Sequence, residues 1–171
     1  MDALDVTYLV AIATVSITFV GFSSVVVVFR QTQGNRLDRP HIFLVRFFIE
    51  MGLIVTVFAL LPLLLAVLGL PESNLWRWAS AIYALVHLAY IRILYRRFPQ
   101  YAGGRFSVRR NLLSVILSIF IDALLILNAI GWPLGSTGGP YALALAWGFT
   151  VAGIFFAQTI TSFVEQPPAV G

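Results

Sequence analysis

Long apolar runs alternate with short polar, arginine-bearing connections along the whole chain. A helix that crosses the hydrocarbon needs about 20 mostly apolar residues, so this alternation predicts a single membrane domain: an all-α bundle of five transmembrane helices. The expected spans are 6–29, 42–70, 76–95, 111–132 and 141–164. The first, Val6 to Phe29, is uncharged and ends at Arg30; the second carries Arg46 and Glu50 and is expected to end at Pro71. The third is the least apolar, with His87 and Arg92 inside it, and is supported by Trp76, Trp78 and Tyr95 at its ends, where aromatic residues favour membrane interfaces. The fourth holds one acid, Asp122, and the fifth holds none. A four-span arrangement with the third segment on the membrane surface is the alternative.

The polar connections give the direction. Arg30, Arg36 and Arg39 lie between spans one and two, and Arg96, Arg97, Arg105, Arg109 and Arg110 between spans three and four. Arginine-rich short loops stay in the cytoplasm, which places the N-terminus outside and the C-terminus inside, in a multi-pass protein of the plasma (inner) membrane. Those five arginines are expected to meet anionic lipid headgroups; topology accounts for the charge, and no nucleic-acid partner is expected. The acidic start, Met1 to Asp5, lacks the positive region of a secretory signal, so the first apolar segment is expected to be retained.

Composition narrows the chemistry. Mean hydropathy is +0.92, with 60% hydrophobic and 11% charged residues, against about 45–50% apolar and 25% charged in soluble domains. Cysteine is absent, which removes disulfides, thiol redox chemistry and cysteine-held metals. Every basic residue besides histidine is arginine, so a lysine Schiff base is excluded; an arginine-only set is also associated with bacterial chains. The two histidines, His41 and His87, fall at different depths and do not suit a haem. No enzyme motif or metal-ligand spacing occurs. The expectation is a non-enzymatic protein without cofactor or metal.

Ionisable groups deep in a membrane segment are costly and point to function or to a specific partner. Asp122 lies near the middle of its span, and Ser114, Ser118 and Asp122 recur at i, i+4 and i+8, a polar stripe from the cytoplasmic end. On the third span Ser80, Tyr83, His87 and Tyr90 share one seam by their 3-4-3 spacing. A short loop joins these helices and His87 matches the depth of Asp122 to about one turn, which predicts a contact between them. Gln158 adds a polar point on the fifth span. Arg46, Glu50 and Arg92 are expected to form an ion-pair cluster nearer the cytoplasm, with Glu50 alternatively the mouth of a path to Asp122. Small residues at Thr7, Ala11, Thr14, Thr18 and Gly21, and at Ala142, Ala146, Gly153, Ala157 and Thr161, form two seams suited to close helix packing, within the chain or with a partner.

Two functions fit these features. One is a small proton- or cation-conducting channel or transporter built on Asp122, His87, Ser118, Ser114, Glu50 and Gln158. The other is a structural or accessory subunit that binds itself or another membrane protein through its seams.

Overall fold

The computed structural model describes residues 1–32, 39–101, 108–132 and 135–164. They form five helices and no strand: α1 Ala3–Thr32, α2 Arg39–Val67, α3 Glu72–Tyr101, α4 Val108–Ile130 and α5 Gly138–Val164. Three stretches are long and apolar enough to cross a membrane, Leu4–Val25, Ile42–Val67 and Gly138–Ala157, while the apolar part of α4, Ser114–Ile130, is shorter. In α3, Arg77, His87, Arg92, Arg96 and Arg97 dilute the apolar residues.

Helices α2, α3, α4 and α5 close a ring in which each packs on the next and α5 returns to α2; α1 lies outside it, chiefly against α2. The core is mainly apolar, but unlike that of a soluble protein the outer surface is apolar as well. Ser16, Ser23, Ser80, His87, Asp122 and Asn128 are buried, whereas Phe22, Val57, Leu85, Ile119 and Phe120 are among many large apolar side chains facing outward. Lipid rewards that arrangement, since it wets apolar surface at no cost and cannot hydrogen-bond polar groups. It marks a membrane-associated protein.

The helix ends differ from the expected limits for a local reason. Helix α2 stops at Val67, before Pro71, because Gly69 takes φ +81°, with Gly69 N–H bonded to Ala66 O (3.0 Å) and Leu70 N–H to Leu65 O (3.2 Å). Helix α4 ends identically: Gly131 has φ +78°, its N–H meets Asn128 O (3.2 Å) and Trp132 N–H meets Leu127 O (3.1 Å). This paired bonding is the glycine C-cap that satisfies the last carbonyls of a helix. Each of these glycines is followed two residues later in the sequence by a proline, Pro71 and Pro133, a residue that cannot continue a helix.

Close approach is set by two other glycines. A Cβ on Gly52 of α2 would collide with Val20 Cγ2 of α1, and one on Gly148 of α5 would lie 2.9 Å from Val55 Cγ2 and 3.0 Å from the Tyr83 hydroxyl. The seam expected on α1 is not the packed one. Thr7, Ala11, Thr14, Thr18 and Gly21 all face outward, and the buried face is instead Leu9, Ala13, Ser16, Val20 and Ser23. On α5, Ala142, Ala146 and Gly153 are half-buried and Ala157 and Thr161 exposed, while Tyr141, Ala144, Leu145, Gly148 and Ala152 face inward.

Candidate functional site

Helices α3 and α4 form an antiparallel hairpin whose register can be read from its side-chain pairs. Near its open end, away from the α3–α4 connection, Asn128 Nδ2 donates to Ser80 Oγ at 2.8 Å. Seven residues further along α3 and six back along α4, His87 Nδ1 lies 2.6 Å from Asp122 Oδ1. Both levels are buried, with His87 8% and Asp122 4% exposed. The 3-4-3 seam of α3 thus points inward along its length, since Ser80, Tyr83, His87 and Tyr90 are all buried.

The surroundings of the pair are mostly aromatic and apolar. The Tyr83 ring meets His87 edge-on at 6.2 Å and stacks on Phe58 at 4.4 Å. Ile121 and Leu125 pack beside Asp122 on α4. On the other side, Trp147 Nε1 of α5 donates to Ser118 Oγ at 3.1 Å, so this member of the serine stripe already serves a packing bond. Ser114, one turn earlier, is half-buried. Buried among these side chains, the carboxyl and imidazole satisfy one another's hydrogen bonding.

A second polar level lies toward the arginine-rich end. Glu50 is bonded by Arg46 Nε at 2.6 Å, one turn earlier on α2, and lies 3.3 Å from Arg97 Nη1 of α3. The expected third member, Arg92, is replaced by Arg97. Arg92 is exposed and makes no hydrogen bond or ion pair among the described residues. Arg92 stands two residues from Tyr90, about 200° around the helix, whereas Arg97 stands seven away, about two turns on, and returns to the same face. Held by two guanidinium groups, Glu50 ties α2 to α3. Arg96 is exposed. Arg105 and the side chains of Arg109, Arg110 and Gln158 lie outside the described residues. No protein-family model, curated protein or solved structure matches the chain.

Two residues carry more than their sequence positions suggested. Asn128 binds Ser80 and also brackets the α4–α5 connection, with Nδ2 donating to Thr137 O at 2.9 Å, Oδ1 accepting from Thr137 N–H at 2.9 Å, and its own carbonyl accepting from Ser136 Oγ at 2.6 Å. Arg77 caps the same helix end, donating from Nε to Ala129 O at 3.0 Å and from Nη2 to Ile130 O at 3.3 Å, where a cation also complements the helix dipole. Asn128→Leu removes three side-chain bonds, each worth about 0.6 kcal/mol on average and at most about 1.7 kcal/mol between membrane helices, so a loss of about 2 kcal/mol, and no more than about 5 kcal/mol, is expected. Unfolding in lipid–detergent micelles measures it, and amide exchange at Thr137 should quicken in the same variant. An unchanged Thr137 amide would show that Oδ1 is not its protecting acceptor.

Proposed function

We propose that the chain is a five-span protein of the plasma (inner) membrane, N-terminus outside, that handles protons or small cations at the His87–Asp122 pair. The observation that carries this reading is a titratable pair 2.6 Å apart and almost fully buried between two helices. Ionisable residues at such depth are rare and are used in proton relays and ion paths. The pair can gain a proton to become imidazolium facing neutral acid, or lose one to become imidazole facing carboxylate; the intermediate form is neutral overall. Exchange is proposed to run toward the arginine-rich end, past Ser118 and Ser114, with Trp147 the side chain that must release Ser118 as the path opens. Glu50, flanked by Arg46 and Arg97, stands nearer that end, where Arg96 and the arginines of the α3–α4 connection would meet anionic headgroups.

The second reading, a non-catalytic accessory subunit, also has an observation in its favour. The small residues Thr7, Ala11, Thr14, Thr18 and Gly21 form an outward face on α1, the helix outside the ring, and small residues allow a second helix to approach closely. Flux decides between the two. Purified protein in liposomes, across about pH 5 to 8, should pass protons or cations, and Asp122→Asn and His87→Ala should abolish the flux, measured on the fraction of each variant that remains folded. A silent wild type would remove the conducting reading and leave the accessory one.

A further inference from the structure

The Phe58 carbonyl has lost the partner that helix geometry would supply. Four residues on stands Pro62, fully buried within α2, which has no N–H to return and whose ring crowds that carbonyl. In lipid such a group must find a donor elsewhere. It accepts instead from the hydroxyl of Tyr141, 2.6 Å away on α5 and itself wholly buried. Around this bond the rings are continuous. Phe58 stacks on Tyr83 at 4.4 Å, Tyr83 meets Tyr141 edge-on at 5.7 Å, and Tyr141 lies 5.8 Å from Trp76. None of the four is more than 5% exposed. They bridge α2, α3 and α5 on the side of His87 that leads to the α2–α3 and α4–α5 connections.

We propose that these four rings are a gate closing the His87–Asp122 site toward that end of the bundle, and that the Tyr141–Phe58 bond is its latch. The inference rests on the reading of that pair as the working site, but it predicts accessibility rather than flux. A proline removes one rung from α2, and a helix bends most readily where a rung is missing. The replacement bond crosses between helices, so α5 can release Phe58 without α2 unwinding. Once released, Phe58 would carry its stack with Tyr83 away from His87. An ordinary helical residue at position 62 would keep the Phe58 carbonyl inside α2 and leave nothing for Tyr141 to hold.

The chain contains no cysteine, so one introduced thiol is the only thiol. Ala84, buried between Ser80 and His87 on the inward stripe of α3, is the reporter position, and Leu68, exposed at the end of α2, reports the reagent on that face. With a membrane-impermeant thiosulfonate applied there, Ala84→Cys should react at least about tenfold more slowly than Leu68→Cys. Adding Tyr141→Phe should speed the Ala84→Cys reaction about tenfold, the scale set by orphaning one buried carbonyl. Adding Pro62→Ala to that variant, which returns an N–H to the Phe58 carbonyl, should restore protection. Equal reactivity at Ala84→Cys and Leu68→Cys would overturn the gate. Continued protection with Tyr141→Phe would overturn the latch, as would failure of Pro62→Ala to restore it, because the opening would then be general loosening. If the proton-handling reading fails instead, flux is silent while this labelling pattern stands.

Discussion

His87→Leu and Asp122→Leu are each expected to destabilise the protein by about 3–5 kcal/mol, and the double variant by less than either alone. The asymmetry follows from where the charge is left. Removing one partner strands the other in a buried site, a cost of about 3–5 kcal/mol, whereas replacing both by apolar side chains of similar size is commonly neutral or stabilising. The magnitude also separates two descriptions of the pair. Neutral hydrogen bonds between membrane helices average about 0.6 and reach about 1.7 kcal/mol, so single-variant losses above about 2 kcal/mol mark an ionic pair. Unfolding of the four proteins in lipid–detergent micelles supplies the full cycle. Losses that simply add would mean that the 2.6 Å contact contributes no coupling.

Gly52→Leu is expected to dislodge α1 from α2 and leave little folded protein. Even the Cβ of Gly52→Ala would strike Val20 Cγ2, and a β-branched valine on a helix has one strongly preferred rotamer and cannot swing aside. Overpacking of this kind costs about 1–3 kcal/mol for small additions. Val20→Ala in the same chain should recover most of the loss in Gly52→Ala. Gly21→Ala and Gly153→Ala serve as comparisons, because nothing lies within 4 Å of a Cβ at either position; helix propensity alone would make them slightly stabilising. Thermal unfolding with fluorescence detection reads all five variants. Equal stability of Gly52→Ala and Gly21→Ala would remove the close-approach argument.

Span length and loop size were enough to indicate five helices and to bring His87 opposite Asp122, because a short connection forces antiparallel neighbours and depth then follows from the rise per residue. Facing was harder to read. The stripe Ser114, Ser118, Asp122 advances by fours, and each such step turns about 40° past a full circle, so continuing it leads to Ile126, which is 46% exposed. The buried line runs through Ile121, Leu125 and Asn128 at four and then three, and following that spacing would have reached Asn128. The α3 seam would likewise have reached Arg97 by adding one heptad to Tyr90. In α1 the spacing of small residues left open which face packs within the chain, because smallness permits close packing on either face. Only the neighbouring helix decides which face is used, and Gly52, isolated among bulky residues, gave no pattern to notice. The Tyr141 bond was hidden for a different reason: Pro62 announces an orphaned carbonyl, but its donor lies 83 residues away from Phe58 along the chain.

The ring of α2 to α5 also imposes an order on assembly. The α3–α4 hairpin joins sequence neighbours and can form as soon as both segments have been made, since local contacts carry little loop-closure cost. Helix α5 provides the interfaces that both α4 and α2 still lack, so the ring cannot close until α5 has been made. During synthesis His87 and Asp122 can therefore find one another while Phe58 still waits for Tyr141, and for that interval the proline-freed carbonyl must take water or a borrowed donor.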